Sequence, residues 1–170
     1  METIICKLLS ILIIFSAVNS SCETHEDAIN DRIWYSMTEE QRYEAPLDVK
    51  AQACGMTEEE FIFMSSVVEA ESDRSSNLDG KILIAEVIFN RVNSGSWPNT
   101  IMDVCCQSGQ FSVVSGGSVC CNRTLSSDWA VIEAHREMAE GTAAPVIFFN
   151  CIGYGAGTPY GYVGGNYFSC

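Results

Sequence analysis

The stretch VVEAES, residues 67–72, places two acids, Glu69 and Glu71, two positions apart in a segment that otherwise reads as buried helix. Residues two apart on a helix point in nearly opposite directions, so one of the two faces inward. A carboxyl held among apolar neighbours keeps its proton to higher pH than a solvated one, and can deliver that proton to a leaving group as a general acid. With Phe61 at zero, Phe63, Met64, Val67, Val68 and Ala70 fall on an arc from about 180° to 340°; Glu71 falls at about 280° and Glu69 at about 80°. The wheel turns Glu71 inward and leaves Glu69 with Ser65, Ser66 and Glu58 on the polar side. The competing arrangement is a helix that stops before residue 71 and leaves this carboxylate in water.

Other chemistries have less to stand on. The chain has no nucleophile elbow, phosphate-cradling loop, HExxH pair or dinucleotide fingerprint. Two histidines and no C-x-x-C pair make a poor zinc set, so neither metal nor cofactor is expected. His135, on the apolar arc of a later helix, reads as a hydrogen-bonded core residue rather than a base. The net charge of −13 offers nucleic acid no electrostatic footing. Nothing in the sequence identifies a regulatory partner protein.

The elements that must position Glu71 can be read in turn. Thr57 and Glu60 in TEEE form a capping box that starts its helix. After a polar loop, a second helix from about Gly80 to Asn93 is apolar nearly all round, which predicts a central buried element. Its polar stripe, Glu86, Asn90 and Asn93, marks either a solvent face or the lining of a cleft. Pro98 closes a turn, and Asn99 or Thr100 caps a short helix through Val104. Residues 107–119 read as a loop with one extended piece. A further helix spans about Ser127 to Glu140, capped by Ser126 or Ser127 and stopped by Gly141. A short strand begins at Val146, and the glycine- and tyrosine-rich tail reads as a loop wall that brings backbone and aromatic faces close to a ligand. The fold class is mainly α, of the α+β type.

The composition, 47% apolar against 18% charged over 170 residues, fits one compact domain. Residues 1–20, with Lys7 before the apolar run LLSILIIFSAV, read as a signal peptide, which predicts a secreted or envelope-associated chain. Residues 21–50 read as a polar lead-in and 51–170 as the domain. Cleavage would leave eight cysteines, an even number that suggests disulfides in an oxidising compartment, with the doublets at 105 and 120 closing the loop between them.

The stretches EAES, DGKILIAEVIFNRVNSGSWPNTIMDV and GQFS, in this order, resemble the spore-cortex-lytic, SleB-type cell wall hydrolases. FFN at 148 and GGNYF at 164 extend the resemblance more loosely. It implies a lysozyme-like fold and cleavage of peptidoglycan glycan strands between N-acetylmuramic acid and N-acetylglucosamine, with 1,6-anhydro ends if the route is that of a lytic transglycosylase. The family's catalytic glutamate falls on Glu71. Gln110 and Phe111 fall on the Q-F that borders the sugar groove, and Asn150, Asn166 and Tyr167 on the looser tail motifs, all as substrate contacts. Two departures stand out: Tyr167 replaces the family's histidine, and cysteine doublets replace pairs such as Ile-Tyr. A hydrolytic route would need a second carboxylate, for which Glu86, Asp73 and Asp103 are candidates. The rival reading is a disulfide-rich module that binds peptidoglycan without cutting it.

Overall fold

The computed structural model describes Trp34, residues 36–72 and residues 77–170. The expected signal peptide and Asp73 lie outside the described residues. The chain divides into two compact units, Met1–Glu44 and Ala45–Cys170. In the first, a short helix α1 (Glu39–Tyr43) starts at a capping box between Thr38 and Gln41. The second unit carries everything that follows.

That unit is a cluster of helices with two small antiparallel β elements. Helix α2 (Leu47–Ala53) falls partly within the stretch expected as a lead-in, and its Lys50 donates to Asp128 at 3.2 Å with both side chains buried. Arg123 joins the same carboxylate. Helix α3 (Glu58–Glu71) opens on the expected box: Glu60 N–H donates to the Thr57 hydroxyl and Thr57 N–H to the Glu60 carboxylate. It packs against α2, α4 (Leu78–Asn93), α5 (Ile101–Cys106) and α6 (Leu125–Glu140).

Surrounded in this way, α3 has no wide polar side. Ser65 and Ser66 are buried along with Phe61, Met64, Val67 and Val68, which corrects their expected exposure. Small hydroxyl side chains let neighbouring elements approach closely, whereas the apolar wheel counts them only as polar. The buried Phe, Met and Val side chains contribute about 1.5–3 kcal/mol each.

Helix α4 is the buried helix anticipated from its composition, and it packs most extensively on α6. The start of α6 is set by Thr124 rather than by Ser126 or Ser127. Thr124 accepts from the Ser127 amide, and the Ser127 hydroxyl accepts from the Thr124 amide in a third capping box. Gly141 ends the helix in the left-handed conformation, as expected. Thr100 caps α5, again through a hydroxyl that accepts from the third residue on.

The loop 107–119 holds a two-stranded ribbon, β1 (Val114–Ser115) and β2 (Ser118–Val119), closed by Gly116–Gly117 with both φ angles positive. The same device recurs in the tail, where Gly164–Gly165 joins β4 (Pro159–Val163) to β5 (Asn166–Ser169). Two positive φ values in a two-residue turn are the geometry that glycine pairs permit between strands. With β3 (Phe148–Asn150) the tail forms a three-stranded sheet ordered β3-β5-β4. The expected loop wall is therefore mostly sheet.

The disulfide expectation is not met at the cysteine doublets. Cys105, Cys106, Cys120, Cys121, Cys151 and Cys170 are thiols. Cys105 lies buried on the inner face of α5, while Cys106, the next residue around the helix, points to solvent, and the ribbon turn closes the loop between the doublets. No helix among the described residues is long and apolar enough to cross a membrane.

Candidate active site

Glu71 is the last residue of α3, and Ser72 terminates the helix through hydrogen bonds from its amide to the Val68 carbonyl and from its hydroxyl to the Glu69 carbonyl, the latter 2.8 Å. The Glu71 side chain is half-buried, and its Oε1 is buried with no hydrogen-bond partner. Burial raises the Glu71 carboxyl above its ordinary range, because the charged form loses water that nothing nearby fully replaces. The backbone N–H groups of Val113 and Ser112 work in the opposite direction and are outweighed. The neighbouring Cys105 thiol is pushed up to about 12, chiefly by burial, so at neutral pH it stays uncharged beside the carboxyl.

The backbone that faces Glu71 is held in place by the residue before it. Phe111 is 3% exposed, with its ring 5.3 Å from the Arg91 guanidinium and 5.9 Å from the Phe149 ring. Arg91 also lies 4.2 Å over the Trp97 ring, and its Nε donates to the Ile147 carbonyl at 2.9 Å. Burial lowers Arg91 to about 10, which still leaves it charged at neutral pH. The expected sugar contact at Phe111 is thus corrected: a ring sealed between a guanidinium and another ring shapes the wall from behind and does not offer a face to a ligand. Gln110, the residue before it, is exposed.

Glu69 lies on the other side of α3, as the wheel indicated, but it is engaged rather than solvated. Its Oε2 accepts from Lys81 Nζ at 2.6 Å and from the Thr124 hydroxyl at 2.7 Å. Burial would raise its pKa, yet these hydrogen bonds and the Lys81 charge together hold it below the usual carboxylate value.

Two of the three candidates for a second carboxylate are engaged by other partners. Asp103 is exposed and serves the first turn of α5, where it accepts from the Thr100 hydroxyl at 2.7 Å. Glu86 is 1% exposed; one oxygen accepts from the Ala144 amide at 3.0 Å, and the carboxyl interacts with Glu137 of α6. Of its polar stripe Asn93 is exposed, whereas Glu86 and Asn90 turn toward residues 144–146. Asn90 donates to the carbonyls of Ala144 and Val146, both at 2.8 Å, so the stripe fastens the segment that leads into β3. The stripe could not be interpreted from sequence because its partners are backbone groups more than fifty residues away.

The tail residues divide by face. Directly paired residues in an antiparallel sheet project to the same side. Phe149 and Phe168 pair across β3 and β5 on the core side, next to Phe111. Asn150, Tyr167 and Tyr162 pair on the opposite side, where the Tyr167 ring packs 4.6 Å from Tyr162 and 5.1 Å from Tyr154. The Asn150 side chain accepts from the Ile152 amide, and Asn166 is buried at the start of β5. Tyr154 and Tyr162 were not singled out from the sequence; the signal for Tyr162 was its Y-x-Y spacing with Tyr160 next to a Gly-Gly turn. His135 is half-buried, with its ring 5.9 Å from Phe89, and takes no place near Glu71.

Comparisons with known proteins agree with this architecture. A family model described as Cell Wall Hydrolase matches residues 75–150. A spore cortex-lytic enzyme from Bacillus cereus is 31% identical over 80 residues, which cover 47% of this chain and 30% of the relative, so the match spans less than a third of that protein's length. The solved catalytic domain of Bacillus cereus SleB superposes with a TM-score of 0.57 at 22% identity, over 67% of this chain and 91% of that one. The catalytic domain of a germination-specific lytic transglycosylase, SleB from Bacillus anthracis, gives the same TM-score and identity over 68% and 98%. These last two likenesses establish a shared lysozyme-like α+β fold. In sequence over residues 75–150 and in fold, this chain is similar to the SleB-type cell wall hydrolases.

Proposed function

We propose that this chain cuts the β-1,4 bond between N-acetylmuramic acid and N-acetylglucosamine in peptidoglycan, with Glu71 as the proton donor. The observation that carries this reading is the Glu71 carboxyl itself: it terminates a buried helix, one oxygen is sealed and unpartnered, and burial biases it toward the protonated form. A protonated acid is what a leaving glycosidic oxygen requires as positive charge develops at the anomeric carbon.

The reaction is that of a lytic transglycosylase. Glu71 gives its proton to the bridging oxygen as the bond from C1 of the muramic residue breaks. The carboxylate so formed takes the proton of the C6 hydroxyl, and that oxygen closes on C1 to leave a 1,6-anhydro end. One carboxyl serves both steps. A hydrolytic route needs a second carboxyl roughly 5–9.5 Å from the first. Asp103 and Glu86 are committed to a helix cap and to the Ala144 amide, which favours the single-acid route. Gln110 and the exposed Asn150 lie on surface segments that could meet a glycan, and Phe111 supports them from below. The apolar run in residues 1–20 fits delivery of the chain to the envelope, where such a substrate resides.

Digestion of purified peptidoglycan by wild type and Glu71→Gln, with mass spectrometry of the soluble products, tests this. Anhydro-muramic ends from the wild type and none from the variant are expected. Reducing muramic ends would replace the transglycosylase route with hydrolysis. Equal release by both proteins, or by neither, would remove Glu71 as the acid.

A further inference from the structure

A second acidic site lies between α4, α6 and the sheet. A cavity of about 300 Å³ is lined by the carboxyls of Asp79, Glu86 and Glu137, by Ile82 and Leu83, and by Tyr160. Glu86 is 1% exposed, and while one of its oxygens accepts from the Ala144 amide, the other is buried with no N–H or hydroxyl donor, and the carboxyl's remaining neighbour is the Glu137 carboxyl. An unpartnered carboxylate oxygen in such a place costs about 1–3 kcal/mol or more unless something satisfies it. Arg136, the basic neighbour of Glu137, does not serve this purpose. It approaches Glu137 only to 3.7 Å and directs its close hydrogen bonds to Glu133 at 2.8 Å and Glu140 at 2.5 Å. The cavity therefore combines, at one end, a Glu86–Glu137 carboxyl pair that no cation among the described residues approaches closer than 3.7 Å with an aliphatic wall and an aromatic rim.

We propose that this cavity binds a primary ammonium group carried on an apolar stem, as in a lysine or diamine side chain, with Glu86 and Glu137 pairing the charge and Ile82 and Leu83 covering the stem. Three arguments select this chemistry. An ammonium brings three donors and can satisfy the free Glu86 oxygen while bridging to Glu137. The volume exceeds what a single ion fills, and the walls beside the acids are apolar. No three His, Cys, Asp or Glu side chains among the described residues converge as a metal ion would need. Tyr160, 49% exposed at the rim, offers a ring face along which a cationic chain can enter. The net charge of −13 favours the approach of any cation. None of the residues that border Glu71 lines this cavity, so the site is separate from the one proposed for glycan cleavage and can be tested without any activity assay.

Isothermal titration of the intact protein decides it. The probes are Nα-acetyl-lysine N-methylamide, 1,5-diaminopentane, the uncharged norleucine analogue of the first, and calcium chloride. Wild type is expected to bind one equivalent of an amine probe, and the norleucine analogue at least tenfold more weakly. Glu86→Gln and Glu137→Gln are each expected to lose at least tenfold in amine affinity. Glu137 is partly exposed, so its variant keeps the test valid if Glu86→Gln, checked by circular dichroism, fails to fold. Tighter binding of the lysine analogue than of the diamine identifies a peptide-borne ligand, and the reverse identifies a free polyamine; either supports the ammonium chemistry. Equal binding of the norleucine analogue, displacement of the amines by calcium at the same site, unchanged affinity in both variants, or no amine binding by wild type would overturn it.

Discussion

Glu69 and Lys81 meet at 2.6 Å between α3 and α4, and the same glutamate oxygen accepts the hydroxyl of Thr124, the residue that caps α6. One carboxylate thus joins the end of α3 to the beginnings of two of the helices that pack on it. Glu71, two residues later, has no comparable partners and one sealed oxygen. Adjacent acids on one helix turn have been given opposite environments: one pairs its charge, the other resists acquiring it.

Their substitutions should accordingly separate stability from activity. Glu69→Gln leaves the largely buried Lys81 ammonium without its counter-charge and should destabilise the unit by about 2 kcal/mol, while glycan cleavage at a permissive temperature persists. Glu71→Gln should abolish cleavage with little loss of stability. Urea denaturation beside a peptidoglycan-release assay checks both, and the same variant failing in both assays would undo the division.

The pH dependence of cleavage follows from the direction of the Glu71 shift. Its folded carboxyl titrates above the ordinary value, so the acid form persists at pH values where a solvated glutamate has already ionised. Activity should be maintained through the ordinary carboxylate range and fall on the alkaline side as Glu71 loses its proton. A kcat/KM profile against pH, measured on soluble glycan fragments, should place this descending limb above the ordinary carboxylate value of 4.5.

Glu86 makes a separate prediction about stability. Burial, reinforced by Glu137, raises its pKa from 4.5 to about 7, with the Ala144 amide opposing. The folded state then holds a proton that the unfolded state has released, so stability is greatest below about 4.5, declines as pH rises to about 7, and changes no further from this source above that. The decline should not exceed about 3 kcal/mol. Glu86→Gln keeps an acceptor for Ala144 and removes the charge, so it should flatten the curve and raise Tm at pH 8 in the absence of an amine. Thermal melts at pH 5 and pH 8 compare the two proteins.

Arg91→Lys tests the support behind the Glu71 wall. Lysine keeps the charge but loses the planar group that lies over Trp97 and beside Phe111, as well as the Nε bond to Ile147. A loss of about 2 kcal/mol in stability is expected. A fall in kcat should accompany it as Ser112 and Val113 lose their fixed position against the carboxyl. Retention of wild-type stability and turnover would show that the stack is dispensable.

Much of this was legible in the sequence where the determining interactions are local. The capping box at Thr57, the stop at Gly141 and the inward turn of Glu71 each depend on residues within four positions of one another. The Gly-Gly turns were equally local, yet the ribbon and the tail hairpin read as loops because their strands are only two to five residues long and rich in polar and glycine residues. Ser65, Ser66 and Phe111 were misplaced, and the partners of the Glu86 stripe were unreadable, for a different reason. Their surroundings are supplied by distant elements, and hydrophobic periodicity carries no information about which of those arrive.

The attachment of residues 144–147 to α4 has a consequence for how this protein can change. Asn90, Arg91 and Glu86 grip amide and carbonyl groups, which every residue type other than proline presents alike, so that the chain leading into the sheet is held without regard to the letters it carries. Such a fastening of constant parts leaves the outward-facing side chains of the strands beyond it open to revision, and a lineage could exchange those rings and amides for others while the helices beneath stay as they are.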